Sequence, residues 1–377
     1  MTAPNVLLLT RHYPPQVSGG ARRPYLFARG LRAHGCHVAV FAPALPDGED
    51  GYVVPHPANA PAAEADAPAR PAPIRDALRA HASLPDPDLR WSLRAARAAR
   101  AWYRRYGFAP DIVLSTSPPE SVHVAGRRLA RGFGTAYACD MRDGWLDAPL
   151  LAQRRARHRR AAETPIARRI LRGAALITAP TEAILAEARR HAPQTPGVLI
   201  AQPAQAPQQS PAPIPAPLSV LHTGSFALSH EARSIEPFAA LAERHRDDPR
   251  YAFVARGRLT QDEAARAEAA GIAVRPPVPL ARVWAEQAAA GVLVLVAAPG
   301  TDAVPGKLAE YASARRPVLC LGGGAWAEGL PGAALTPDAF LEAALHPARR
   351  ARLVPPPPPT PEQAAGAFLD AWAARRA

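Results

Sequence analysis

The feature that most constrains this chain is an alternation that runs twice along it. Short, continuous apolar runs are separated by longer stretches in which Ala, Leu and Arg recur at helical spacing. In the first half the apolar runs are 5–10 (NVLLLT), 37–42 (HVAVFA), 111–115 (DIVLS), 136–140 (AYACD), 175–179 (ALITA) and 197–201 (GVLIA). Helices are predicted near 21–34, 91–106, 120–132, 154–172 and 181–191. Strands that are apolar on both faces and separated by helices imply a parallel sheet covered on both sides. The pattern restarts with strands at 218–223, 251–255, 272–276, 292–297 and 317–321 and helices near 233–246, 261–270, 280–290 and 306–314.

The stretches that break the alternation set the domains. An uncharged, proline-rich tract at 203–217 reads as a linker between a first domain, 1–202, and a second, 218–354. Five consecutive prolines at 355–359 form a stiff spacer. A last helix follows at 361–376, with Thr360 as N-cap and Pro361 at its first position; the 355–377 tail is expected to pack back on the first domain. The Pro-, Ala- and Asp-rich segment 43–88 reads as a surface excursion with little regular structure. Two open α/β domains imply a cleft between them, with ligands at the carboxyl ends of the strands.

Composition removes several function classes. With 48% apolar and 20% charged residues the chain has a globular composition and not a disordered one. No run of about 18 apolar residues exists to cross a membrane as a helix. The opening run lacks a basic flank, so it reads as a first strand and not a signal peptide, and a cytoplasmic location is expected. Cys36, Cys139 and Cys320 are scattered without metal-ligand spacing and read as small core residues. Neither a metal nor another cofactor is expected.

The net charge of +13 is uneven. Residues 1–200 hold 28 Arg against 16 acidic residues, whereas 201–377 hold 17 basic and 16 acidic residues. Of the 45 basic residues 44 are Arg, most of which read as coding bias; the one lysine is Lys307. Residues 151–172 carry eight arginines and one glutamate. They read either as a solvated basic face or as a surface for anionic lipid headgroups, peripheral to a membrane. The charge alone also fits nucleic acid, but aromatics are only 6% and no recognised binding motif is present, so no nucleic-acid partner is expected.

The candidate site residues lie in loops that follow strands. Gly19 and Gly20 open the first helix, where free N–H groups favour an anion, and His12, Arg22 and Arg23 flank them. Further along come His123, after Ser115-Thr-Ser-Pro-Pro-Glu-Ser-Val, and the cluster Asp140, Arg142, Asp143 with Trp145. Each has a plain alternative: a histidine packed on the sheet, or an ion pair that holds a loop. In the second half, His222-Thr-Gly224-Ser225-Phe226 forms a glycine turn after a strand, with Arg233 beyond it. Arg256 and Arg258 offer guanidinium forks suited to phosphate.

The sharpest segment is Pro299-Gly-Thr-Asp302-Ala-Val-Pro305-Gly306-Lys307-Leu-Ala-Glu310-Tyr311. Lys307 and Glu310 share a helix face near its start, and an N-terminus with a lysine suits a diphosphate. Glu310, one turn on, suits a ribose diol. Asp302 and Glu310 are eight apart, and Tyr311 reads as packing. The plain alternative is a surface ion pair between Lys307 and Glu310.

These segments, in this order, resemble the GT-B fold glycosyltransferases of family 4. The stretches are SGGARRPYLFARGLRAHGCHVAVFAP, STSPPESVHVAGRRLARGFGTAYACDMRDGW, ALITAPTEAILAEARR and VPGKLAEYASARRPVL. The resemblance implies two Rossmann-like domains facing a cleft and metal-independent, retaining transfer from a nucleotide sugar. It implies a glycan or lipid-linked acceptor in cell-surface polysaccharide or glycolipid synthesis. Carried over, Gly19 and Gly20 lie near the donor phosphates and acceptor. Lys307, with Arg256 or Arg233, binds the diphosphate, Glu310 binds the ribose, and Asp302 lies near the donor sugar. Asp140, Asp143 and His123 stand with Asp302 as catalytic candidates, and Gly224, Ser225 and Gly306 as donor-binding ones. Here Asp302 stands where many members have Glu, and Ile200-Ala-Gln-Pro203 where many have Pro-Asn-Gly. A nucleotide-sugar epimerase of the same fold, a non-catalytic member and a basic nucleic-acid binder are the alternatives.

Overall fold

The structure, a computed structural model, describes residues 3–16, 19–56, 83–107, 109–147, 157–204, 213–214, 216–228, 232–301 and 304–375. The chain divides into two units. One comprises Met1–Pro203 with Pro359–Ala377, and the other Ala204–Pro358.

The first unit is built on β1 (Asn5–Thr10), β2 (His37–Ala42), β3 (Gly51–Val53), β4 (Ile112–Thr116), β5 (Ala136–Asp140), β6 (Leu176–Ala179) and β7 (Gly197–Leu199). They form one sheet in the order β3-β2-β1-β4-β5-β6-β7, with every neighbouring pair parallel. Its helices are α1 (Gly19–Ala33), α2 (Leu89–Tyr106), α3 (Ser121–Phe133), α4 (Arg157–Arg172) and α5 (Glu182–His191). The continuous runs are apolar because both sheet faces are covered: Val6 through Leu9 of β1 are all buried. On α2, Trp91, Ala95, Ala99 and Tyr103 recur at four-residue spacing and are buried, which leaves its arginines on the opposite side. Gly107 and Gly134, both left-handed, end α2 and α3. The strand order reverses between β1 and β4, the place where open α/β sheets bind ligands.

The segment 43–88 holds more regular structure than its composition implied. Gly51–Val53 adds a parallel edge strand to β2, and Trp91 Nε1 donates to Val54 O at 2.8 Å. Three residues are too few to give a readable alternation. Residues 57–82 of that excursion, 151–156 of the basic stretch and most of the linker lie outside the described residues.

The second unit carries β8 (Leu218–Thr223), α6 (Glu236–Arg244), β9 (Tyr251–Arg256), α7 (Gln261–Ala269), β10 (Ala273–Arg275), α8 (Leu280–Ala289), β11 (Val292–Val296), α9 (Gly306–Ser313) and β12 (Val318–Leu321). The sheet order is β10-β9-β8-β11-β12, again parallel throughout, with its reversal between β8 and β11. A capping box between Thr260 and Glu263 starts α7. After β12 come α10 (Ala325–Glu328), α11 (Pro337–Leu345) and α12 (Pro347–Ala351), which were not predicted.

The chain then returns to the first unit as α13 (Pro361–Ala373), capped by Thr360 and Gln363. It lies against α1 so closely that a Cβ on Gly30 would fall 2.0 Å from Pro361 O. Phe27 and Phe368 meet edge-on at 5.6 Å beside this contact.

Candidate functional site

In the second unit the site forms where β8 and β11 part. Their pairing includes Val292–Val220 and Leu293–Leu221. One residue on, the His222 imidazole takes over, with Nδ1 3.0 Å from Val294 O. A carbonyl only accepts, so Nδ1 carries the proton. Burial, with Lys307 and Arg233 adding like charge, holds His222 neutral down to about pH 3. Its ring stacks on Phe226 at 4.2 Å.

The turn after β8 is pressed against the turn after β9. Gly224 (φ 119°) and Gly257 (φ 152°) pack so tightly that a Cβ on Gly257 would lie 2.0 Å from Gly224 O. A Cβ on Gly224 would lie 3.7 Å from Lys307 Cε and 3.9 Å from Nζ. The lysine stem therefore lies over this bare turn. Ser225 follows in the same turn.

Lys307 projects from the first turn of α9, which Pro305 and Gly306 open. Its Nζ donates to Glu310 Oε1 at 3.0 Å, and Glu310 is only 4% exposed. Gln287 Nε2, from α8, donates to the same Oε1 at 2.6 Å and to Thr223 Oγ1 at 2.8 Å. Tyr311 accepts the Thr223 N–H at 2.8 Å through its hydroxyl. Burial raises the Tyr311 phenol well above its ordinary range. Tyr311 is thus a latch on the end of β8, a more specific task than packing.

The structure brings together Gly224, Gly306, Lys307 and Glu310 of the expected set, with Arg233 close enough to bias His222. Arg233 belongs to the loop before α6, which starts three residues later than predicted. Arg256 is a correction. It forms a two-point pair with Glu286 at 2.6 and 2.8 Å, and donates to Pro276 O at 2.7 Å. Its fork is spent joining β9 to α8 and to the loop after β10, and is not offered to a phosphate. Asp302 lies outside the described residues. The loop that leads to it is tied by Trp326 Nε1 to Thr301 O at 2.8 Å and by Gly300 N to Gly323 O at 2.9 Å.

In the first unit Asp140 and His123 are buried parts of the scaffold, a second correction. Asp140 accepts from Arg23 Nη2 at 2.7 Å, Thr116 Oγ1 at 2.7 Å and Thr178 Oγ1 at 2.6 Å. Burial pushes its carboxyl up, but the Arg23 charge and these hydrogen bonds outweigh it and hold it below the ordinary range. Arg23 also donates to Ile200 O at 3.0 Å, which fixes the chain after β7. His123 Nδ1 sits 2.7 Å from Ser115 Oγ, and burial holds the ring neutral down to about pH 4.

What gathers at the carboxyl edge of β1 and β5 is His12, Gly20, Arg142 and Asp143. A Cβ on Gly20 would lie 3.1 Å from the His12 ring and 3.2 Å from Arg142 Nη1. Arg142 donates to Gly20 O and lies 3.9 Å from Asp143. Burial raises the Asp143 carboxyl above its ordinary range, offset by Arg142. Gly19 is the first residue of α1. Glu187 of α5 accepts the N–H groups of Trp145 and Leu146 at 2.8 and 2.7 Å, which steadies this loop. Neither Gln287 nor Glu187 carried a sequence signal beyond being a polar residue on an Ala-rich helix.

Among the described residues no group of three His, Cys, Asp or Glu side chains could hold a metal ion. No described helix is long and apolar enough to cross a membrane.

Comparison with known proteins extends this picture. Residues 18–203 match the family described as glycosyl transferase 4-like domain. No curated protein matches the sequence. Among solved structures, sucrose-phosphate synthase from Thermosynechococcus elongatus is similar with a TM-score of 0.62 at 15% identity, over 98% of this chain and 96% of that one. Anabaena HepE, solved in complex with UDP and glucose, gives 0.56 at 10% identity over 99% and 97%. A putative UDP-N-acetylglucosamine 2-epimerase from Listeria monocytogenes gives 0.56 at 12% identity over 98% and 95%. At such identities the likeness speaks for the fold. Residues 18–203 are therefore similar to a glycosyl transferase 4-like domain, and the chain, with its two parallel-sheet units, has the GT-B fold.

Proposed function

We propose that the protein transfers a sugar, with retention, from a nucleoside diphosphate sugar to an acceptor hydroxyl. The observation that carries this reading is the meeting of Lys307, Glu310 and Gly224 at the parting of β8 and β11. Transfer leaves negative charge on the departing diphosphate. The Lys307 ammonium and the N-terminus of α9 stabilise that charge, and the bare Gly224 turn admits the phosphates closely. Glu310 accepts hydrogen bonds from the ribose diol, and Asp302 acts on the donor sugar. Arg233 adds positive charge from the loop before α6. HepE holds UDP and glucose, which supports a nucleotide-sugar donor here.

On the acceptor side, the half-buried Arg142–Asp143 pair beside Gly20 and His12 is the polar constellation that meets the acceptor. That acceptor is a growing glycan or a lipid-linked sugar of the cell surface. The arginine-rich α4 would then lie on the inner face of an anionic membrane. Four of its arginines are already engaged, Arg159 with Glu163 at 2.9 Å, Arg160 with Asp147 at 2.8 Å, and Arg168 and Arg172 with His191 at 3.5 and 3.2 Å. Co-sedimentation with vesicles that ignored anionic lipid and salt would end the membrane reading.

The epimerase of similar fold gives the second reading. Product analysis separates the two. Incubation with a nucleotide sugar and acceptor extract gives a glycosylated acceptor whose anomeric configuration matches the donor's. An isomerised donor without transfer would establish the epimerase instead.

A further inference from the structure

We infer that Gln287 is the positioning residue that holds Glu310 in place when Lys307 is given over to a ligand. This rests on the donor-site reading above. Gln287 is fully buried on α8, flanked by Glu286 and Ala288. A carboxylate can only accept, so the Gln287 atom 2.6 Å from Glu310 Oε1 must be the amide nitrogen. The same nitrogen reaches Thr223 Oγ1 at 2.8 Å and so ties Glu310 to the end of β8. The amide oxygen is buried and receives no hydrogen bond among the described residues. The side chain therefore acts purely as a donor and leaves a buried acceptor unmet, an arrangement that stability alone does not favour.

Two donors converge on one oxygen of Glu310, and they differ in kind. Lys307 is charged, and its side chain is about a quarter exposed at 25%. Gln287 is neutral and sealed. When a diphosphate draws Lys307 away, the Gln287 hydrogen bond to Glu310 Oε1 remains, so this buried oxygen stays satisfied and the carboxylate keeps its direction. A neutral donor also leaves Glu310 its full charge for a diol. A second cation at this position would neutralise the acid and compete for phosphate.

The test uses the full chain and calorimetric titration with uridine, guanosine and adenosine 5′-diphosphates and their 2′-deoxy counterparts. Wild type binds one ribonucleotide more tightly than its deoxy form. Gln287→Leu and the shape-preserving Gln287→Glu both weaken the ribonucleotide by about tenfold and bring the ribo-to-deoxy ratio toward one. Variants that keep wild-type affinity and ratio overturn the inference. So does a loss of affinity with the ratio unchanged, which is the mark of a merely structural residue. If wild type binds none of these nucleotides, or Lys307→Ala binds as tightly as wild type, the donor-site reading fails and this inference falls with it. If Lys307→Ala is impaired while the Gln287 variants behave as wild type, only this inference fails.

Discussion

Arg23 and Asp140 meet at 2.7 Å inside the first unit, both almost wholly shielded from solvent. One comes from the first helix and the other from the end of β5, so the pair joins elements 117 residues apart. Thr116 and Thr178, at the ends of the two strands flanking β5, complete the shell. Breaking one member of such a pair leaves a buried charge. Arg23→Met is therefore expected to destabilise the protein by about 3 kcal/mol, more than the double variant with Asp140→Asn. Chemical denaturation of the single and double variants checks this.

Acid stability follows from the same pair. The Asp140 carboxyl is held below its ordinary value in the folded state, so its contribution is present above the unfolded pKa and is lost as pH falls through the folded one. The Asp140→Asn protein should lack this dependence below about pH 4, the ordinary carboxylate range.

Two buried histidines act over a higher window. His123 stays neutral down to about pH 4 and His222 down to about pH 3. The unfolded chain binds their protons from about pH 6.5. Stability should therefore fall by about 1.4 kcal/mol per pH unit for each histidine as pH drops from 6 toward 4. His123→Asn flattens that slope, and denaturant midpoints at pH 7, 6, 5 and 4 read it.

The contact of α1 with α13 is set by a missing side chain. A methyl on Gly30 would overlap Pro361 O at 2.0 Å, so even Gly30→Ala forces α13 to move. A loss of about 1–3 kcal/mol is expected, as for overpacked cores, with α13 exposed first to proteolysis. Full stability with an unchanged cleavage pattern would mean that α13 does not depend on this contact.

The parallel sheets were legible because burial on both faces writes itself as unbroken apolar runs: Val6–Leu9 and Val292–Val296 could hardly be read otherwise. Lys307 and Glu310 were legible because their relation is local, one helical turn. The task of Arg256 was not. Its partner Glu286 lies 30 residues away, and in the sequence an arginine after a strand looks the same whether it waits for phosphate or is already paired. Asp140 misled in the same way, since its three partners come from three distant elements. Gln287 was invisible because one polar residue on an alanine-rich helix gives no sign of what it faces. Helices α10 and α12 and the three-residue β3 were missed because none is long enough to show a period.

The central claim is that Lys307 and Glu310 form a nucleotide-sugar site in the second unit. The most direct measurement is thermal stabilisation of wild type, Lys307→Ala and Glu310→Ala by a panel of UDP-, GDP-, dTDP- and ADP-sugars. The account predicts that at least one donor raises the wild-type melting temperature. It predicts that Lys307→Ala loses most of that shift, with affinity down by about tenfold or more for a lost charge-assisted contact. Glu310→Ala should lose it chiefly for ribose-containing donors. Equal stabilisation of all three proteins by the same donor would contradict the claim.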